Sequence, residues 1–175
     1  VAGCPNVAVT TYAGGSGNAF IRMFSQPEAF RNLEKLLDCQ ESQFNLIRCN
    51  EDYALNICSV GLDARIAADV AGYKRFPLFS GFRAYLVSAL INTIKGIWQP
   101  YTASFEKETV QKDFTLICAC NGRFYGGGFN PVPEADPQDG ILEVLLVNKV
   151  SRLTVLGLIG AYKKGKYASL PQKIR

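Results

Sequence analysis

The chain has 175 residues, enough to bury one substantial core, and carries 19 Lys and Arg against 15 Asp and Glu, a net charge of +4. It contains no histidine, which removes the commonest general base and transition-metal ligand and leaves carboxylates, hydroxyls and oxygen-bound hard cations to carry any chemistry. No apolar run reaches the ~18 residues of a membrane span, and Pro5 and Asn6 interrupt the first apolar run, so Val1 does not open a signal peptide.

In chain order, Asn6 to Tyr12 reads as a buried strand running into Gly14-Gly15-Ser16-Gly17, and Asn18 to Phe24 as a short helix directly behind it. A glycine turn that presents free N–H groups at a helix start suits phosphate. No Lys-Ser/Thr follows the glycines, so it is not a P-loop, and on spacing alone the turn is either structural or anion-binding. Ser25-Gln-Pro-Glu28 has the form of a capping box, and Phe30, Leu33, Leu36 and Leu37 follow at helical spacing, predicting a helix that packs against a sheet. Phe44 to Cys49 and Tyr53 to Val60 flank Asn50-Glu51-Asp52 and predict a β-hairpin. Its second strand leads into Gly61-Leu62-Asp63-Ala64, where Asp63 either serves a polar site at the sheet end or caps the next helix.

Ser80 to Trp98 is the strongest predicted helix, with Phe82, Tyr85, Leu86, Ala89, Leu90, Ile94, Ile97 and Trp98 in a wide apolar stripe that is either core or the wall of an apolar cleft. Pro100 ends that segment. Thr102 to Glu108 and Asp113 to Asn121 form a second predicted hairpin, Ile141 to Asn148 a further strand, and Ser151 to Lys164 a closing helix with Leu153, Leu156, Ile159 and Tyr162 inward and Gly165 as its stop. Strands in paired runs, rather than alternating with helices, predict an antiparallel α+β or sandwich-like body. The six cysteines, Cys4, Cys39, Cys49, Cys58, Cys118 and Cys120, contain no Cys-x-x-Cys pair and read as reduced thiols of a cytosolic protein rather than disulfides or a metal cluster.

The densest stretch lies between Cys118 and Leu145. It combines Asn121-Gly122, a triple glycine at Gly126 to Gly128, prolines at 131, 133 and 137, and Asp139-Gly140. Each glycine adds entropy lost on folding, so something must come close to that backbone. Glu134, Asp136 and Asp139 stand within six residues, which offers oxygen to a hard cation such as Mg²⁺ or, equally, a surface turn whose aspartates cap local N–H groups. From Ser151 to Arg175 there are six basic residues, Arg152, Lys163, Lys164, Lys166, Lys173 and Arg175, and no acidic one. Such an end docks on anionic lipid at ~1 kcal/mol per nearby cation, or is a solvated helix end and tail. Nucleic acid is disfavoured, because the basic residues are not interleaved with stacking aromatics.

These residues carry a resemblance. NGRFYGGGFNPVPEADPQDGILEV, with its NG-x₃-GGG spacing, resembles the NG…GGG…P-x-A…DG-x-L-x-V segment of the diacylglycerol kinase and sphingosine kinase family. YAGGSGNAFIR, from Tyr12 to Arg22, resembles that family's GTGNDFAR or GSGNDFAR loop, and Ser59 to Arg65 its S-x-G-[FL]-D-A strand end. Ser151-Arg152, followed by an apolar helix ending Lys164-Gly165-Lys166, is similar to its closing stretch. The four motifs stand in the family's order over residues 7 to 167.

The resemblance implies an α+β fold: a mainly antiparallel β sandwich-like domain with two or three helices (residues 41–175), preceded by a strand-loop-helix remnant of an α/β nucleotide-binding domain (residues 1–40). It implies transfer of the ATP γ-phosphoryl group to a lipid hydroxyl, of diacylglycerol or a long-chain base, with Mg²⁺. Ser16 occupies the position of the hydroxyl residue that contacts ATP, flanked by Gly15, Gly17 and Asn18. Asp139, the aspartate of DG, would hold the magnesium ion with main-chain oxygens from about Asp136 and Ile141. The chain departs from the family at Ala19 and Glu143, both usually aspartate. The GGDGT nucleotide loop and the DGE string that holds the general base do not occur, so no catalytic residue is expected here and the chain alone is expected to be inactive. The implied setting is cytoplasmic, peripheral to an anionic membrane; oligomeric state is open, a homodimer included. A non-catalytic lipid- or protein-binding module of the same fold is the alternative, with an NAD kinase-like enzyme third.

Overall fold

The computed structural model describes residues 2–15, 17–73, 82–126 and 128–167. Two 3₁₀ turns (Phe20–Met23 and Pro27–Arg31) and a short helix α1 (Leu33–Leu37) precede a hairpin of β1 (Ile47–Cys49) and β2 (Asp52–Ala54). There follow β3 (Ile57–Gly61), α2 (Leu62–Tyr73), α3 (Phe82–Lys95), β4 (Gln99–Ser104), β5 (Thr109–Cys120), β6 (Glu143–Asn148) and α4 (Arg152–Lys163).

β5 organises the sheet. Its first half pairs with β4, its second half with β3 on the same edge and with β6 on the other, all antiparallel. The run Phe114 to Cys120 is nearly all apolar because a central strand is covered on both faces. Phe114 is 1% exposed, and burying it fully contributes about 1.5–3 kcal/mol. Leu116, Cys118 and Cys120 alternate onto one face, where they meet Leu145 and Val147 of β6 and the loop residues Val132 and Ala135. Pro100, read as a helix terminator, lies inside β4, and α3 ends earlier, at Lys95 before Gly96. An edge strand paired on one side tolerates the missing N–H.

Both predicted hairpins form. Asn50, at φ 56°, turns the first in two residues, and the Phe105 N–H donates to the Glu108 carbonyl at 2.8 Å to close the second. The run from Tyr53 to Val60 is divided, however: its first part pairs with β1, and after Leu55-Asn56 its second part crosses to β5. The closing helix keeps its end signals, with the Ser151 hydroxyl accepting from the Thr154 N–H at 3.1 Å and Gly165 at φ 62°. Ile159 and Tyr162 face inward, but Leu153, expected inward, is exposed and the Leu156 side chain lies outside the described set.

The first forty residues differ from the expectation. Asn6 to Tyr12 is no strand: no strand pairs with it among the described residues, and Val7, Val9 and Tyr12 are exposed. The helix expected behind the glycines is a single 3₁₀ turn whose first residues carry no side-chain cap. The helix expected from Ser25 is broken at Asn32, whose extended backbone ends the 3₁₀ turn and whose side chain accepts from the Lys35 N–H at 3.1 Å, starting α1 afresh. Leu33 and Leu37 are exposed rather than packed on a sheet, and this segment is held by Phe20, Phe24, Phe30 and Phe44, whose ring centroids lie 4.9 to 6.1 Å apart.

Candidate functional site

A cavity of about 300 Å³ opens between the sheet and helices α2, α3 and α4. Its wall is hydrocarbon from Leu62 and Ile66 of α2, Ala89 and Leu90 of α3, Val147 of β6, and Leu158 and Ile159 of α4. Two alternatives stood open for the apolar stripe beginning in α3, and its described side chains divide between them: Ala89 and Leu90 line the cleft, Ile97 is buried core, and Ile94 and Trp98 are exposed. Toward α2 the same helix turns a polar seam that the stripe obscured: Ser88 and Asn92 are buried, the Ser88 hydroxyl donates to the Ile66 carbonyl at 3.0 Å, and the Asn92 amide donates to the Asp69 carboxylate at 2.8 Å. Apolar residues were thereby freed to face the cavity. Phe82, Tyr85 and Leu86 have side chains outside the described set, as do Ser80 and Gly81 altogether.

Among the described residues, three ionisable side chains stand in the wall: Asp63, Tyr125 and Tyr162. Asp63 is 5% exposed, in the first turn of α2. One of its oxygens accepts from the Ala64 N–H at 2.9 Å and the other from the Tyr125 hydroxyl at 3.1 Å, which lies 2.7 Å from the Tyr162 hydroxyl. Burial raises the Asp63 carboxyl above the usual carboxylate range, against hydrogen bonds from Ser59, Tyr125 and Ala64 that pull it down. Both tyrosines are raised well above the ordinary phenol, first by burial. The polar atoms satisfy one another, so a molecule in the cleft meets carbon. Asp63 thus combines both roles left open for it, a local cap and a polar site at the sheet end. The tyrosines carried no motif of their own; the signal was Asp63, since a buried carboxylate requires donors.

The motif loops are drawn together by contacts within the chain. The close approach expected at the glycines comes from the protein itself: a Cβ on Gly122 would collide with the Asn56 side chain and meet the Met23 sulfur at 3.0 Å, and one on Gly128, at φ 115°, would lie 2.7 Å from the Arg22 guanidinium. Met23 also accepts from the Arg123 N–H at 3.4 Å, so the 3₁₀ turn behind Gly15, Gly17 and Asn18 rests on the NG…GGG loop. The Asn18 amide donates to the Gly15 carbonyl at 2.7 Å, folding this loop on itself; Ser16 and Gly127 lie outside the described residues. Asn121, 2% exposed, donates to the carbonyls of Asn45 and Leu55 at 2.8 and 2.6 Å.

Asp136, Asp139 and Ile141 share one tight turn. The Asp136 carboxylate accepts from the Gln138 N–H at 3.0 Å and that of Asp139 from the Ile141 N–H at 2.8 Å, with Gly140 at φ 77° between them. This much matches a turn capped by its own aspartates. Glu143 supplies what that reading lacks. Its Oε2 is buried without a partner, and burial followed by the charges of Asp139, Glu134 and Asp136 raises its carboxyl. Among the described residues no three Asp, Glu or Cys side chains converge on a metal-sized point. The donor set is nevertheless all oxygen, and an orphaned carboxylate oxygen beside like charges is what a small hard cation, keeping most of its waters, would relieve. The residues fit magnesium on that ground.

Comparison with known proteins places this geometry. Residues 56–174, more than half of the chain, match the family described as the YegS C-terminal NAD kinase beta sandwich-like domain. The chain belongs to this family. The YegS-type domain so defined takes in β3 to α4, and with them the cleft, Asp63, both tyrosines and the acidic turn. Proteins of Staphylococcus aureus strains MSSA476 and MRSA252, each named a "putative lipid kinase", are 28% identical over 139 residues, 79% of this chain and 45% of theirs. Two solved structures titled as a "putative diacylglycerol kinase" of Bacillus anthracis share the fold. One has a TM-score of 0.64 at 22% identity over 93% of this chain and 52% of its own, the other 0.58 at 21% over 90% and 51%. The resemblance to bacterial lipid kinases and the α+β, sandwich-like fold are borne out. The chain spans about half the length of the relatives it matches. Among the described residues no helix is long and apolar enough to cross a membrane.

Proposed function

We propose that this chain is the lipid-holding part of an ATP-dependent lipid kinase that transfers the γ-phosphoryl group to a lipid hydroxyl, of diacylglycerol or a long-chain base. The observation that carries the reading is the cleft: about 300 Å³, walled by hydrocarbon, with its three ionisable groups bonded to one another. A wall of that kind takes an acyl chain and excludes water from it. Asp63, Tyr125 and Tyr162 fix the wall's shape by tying α2, the GGG loop and α4 together.

Asp139 would hold magnesium, with main-chain oxygens of Asp136 and Ile141 and with Glu143 beside them. When bound, that ion supplies positive charge against phosphate and its ordering of the turn. The residues around it act on their own account: the Arg123 guanidinium donates to the Ala135 carbonyl at 2.8 Å, and the Asn45 N–H to that of Pro137 at 2.7 Å, so the turn is anchored at its base. Gly15, Ser16, Gly17 and Asn18 would meet the nucleotide. The exposed apolar edge of Val7, Val9 and Tyr12 suits a strand whose partners belong to an α/β nucleotide domain of the parent, of which residues 1–40 are the remnant. Ala19 and Glu143 in place of aspartates favour the second reading, a non-catalytic lipid-binding module that keeps the cleft.

The test is phosphoryl transfer from radiolabelled ATP to a panel of diacylglycerol, long-chain bases and nicotinamide nucleotide by the full-length parent, with this chain as control. Lipid labelled by the parent and none by the chain supports the kinase. A folded parent that labels no lipid eliminates it, and labelled nicotinamide nucleotide would move the assignment to the NAD kinases.

A further inference from the structure

Cys49 and Cys58 come from separate elements. Cys49 ends β1, beside the two-residue turn that joins β1 to β2, and Cys58 lies in β3. Cys58 is in register with Ala119, so it points to the face of the sheet opposite Cys118 and Cys120. The hairpin lies over that face and sets the Cys49 thiol 3.0 Å from the Cys58 sulfur, toward which it donates. Both side chains are partly exposed. No metal-holding group of three includes them among the described residues. The other cysteines provide the contrast. Cys118 and Cys120 lie 3.5 Å apart but neighbour each other on one strand, fully buried, where no oxidant reaches. Cys39 donates to the Leu36 carbonyl at 3.1 Å, and Cys4 is exposed.

We propose that Cys49 and Cys58 are a reversible disulfide site, closed by hydrogen peroxide, that fastens the β1–β2 hairpin to β3. The sulfurs are already nearer than ordinary non-bonded contact and belong to two strands that pack, so closure needs side-chain rotation rather than a rearranged backbone. Contact with Cys49 and then burial push the Cys58 thiol up to about 11, which leaves Cys49 to attack first and Cys58 to resolve. The Cys49 thiolate takes one oxygen of the peroxide as the O–O bond breaks, giving a sulfenic acid and, with one proton, water. The Cys58 sulfur then attacks the Cys49 sulfur, the S–O bond breaks, and a second water leaves with the Cys58 proton. Two electrons pass from the thiol pair to one peroxide. β3 runs through Gly61 directly into Leu62 and Asp63, so the bond fixes the strand that delivers α2 to the cleft wall.

The chain is treated with hydrogen peroxide, alkylated and mapped by peptide mass spectrometry, alongside C49S and C58A. The expected result is one cross-linked peptide pair, lighter by two hydrogens and restored by dithiothreitol, while Cys118 and Cys120 resist alkylation until the chain is unfolded. Its thermal midpoint rises by roughly 5 °C, as closing a short loop should bring. In C49S the cross-link and the rise are both absent, and Cys58 remains open to alkylation. Peroxide that oxidises Cys4 while Cys49 and Cys58 both remain alkylatable overturns the proposal. So does conversion of either to a sulfinic acid without the cross-link, or pairing of either with Cys4 or Cys39.

Discussion

Replacing Asp63 separates the two things the buried carboxylate does. Asp63→Ala removes the acceptor of the Ala64 N–H and of the Tyr125 hydroxyl, bonds of 2.9 and 3.1 Å at a residue only 5% exposed, and that of the Ser59 side chain. The Tyr125 hydroxyl retains Tyr162 at 2.7 Å, so the loss falls hardest on the Ala64 N–H, at a cost of about 1–3 kcal/mol, with a further ~1 kcal/mol for the lost Tyr125 and Ser59 bonds. For a domain of this size that lowers the thermal midpoint by about 5–12 °C. Asp63→Asn keeps the shape, still accepts from Ala64, and can donate to the Tyr125 oxygen, so it stays within about 1 kcal/mol of the parent at neutral pH. The sign of the pH dependence follows from the raised carboxyl. The folded chain holds the Asp63 proton more tightly than the unfolded chain does, so this group's contribution is full below the unfolded carboxyl range and is lost as pH rises through the higher folded value. Thermal melts of parent, Asp63→Asn and Asp63→Ala from pH 4 to 8 measure it: the downward slope belonging to Asp63 should vanish in the asparagine variant. If asparagine costs as much as alanine and leaves the profile unchanged, the carboxylate does not pair with Tyr125 in the cleft wall.

Asn121→Ala strips donors from the carbonyls of Asn45 and Leu55, at about 2–3 kcal/mol in a buried site, and denaturant midpoints will register it as a loss with unchanged slope. Magnesium should raise the melting temperature of the chain by mass action and leave Asp139→Asn unmoved; an equal rise in both would detach the ion from this turn. Gly122→Ala drives a methyl into Asn56 and Met23 and should cost about 1–3 kcal/mol, measured by thermal melts, whereas alanine at Gly17, where a Cβ meets open space, should cost less than 1 kcal/mol.

What could be read from the residues was whatever is decided within a few positions. Ser151 and Gly165 bracket α4 because a cap and a left-handed stop act locally, and Asn50 sets its hairpin for the same reason. Asn32 was misread because its side chain, aimed at its own backbone, outcompetes a helical pattern that runs through it. Asn6 to Tyr12 had the composition of a strand, but a strand exists only with a partner, and the described residues supply none. The acidic turn was legible as aspartates and glycine at fixed offsets, while the orphaned oxygen of Glu143 was not, since burial there depends on the packing around it. The cleft lies at the far end of this scale: Tyr125 meets Asp63 across 62 positions and Tyr162 across 37, distances over which no periodicity speaks.

The proposed function requires the cavity to hold hydrocarbon. Binding of a fluorescent diacylglycerol analogue to the chain, beside Ala89→Phe, which puts a ring into the cavity from α3, tests this directly. The prediction is saturable binding by the parent and at least a tenfold loss in Ala89→Phe, about 1.4 kcal/mol, with a melting temperature within about 3 °C of the parent. Equal binding by both folded proteins, or none by either, would contradict it.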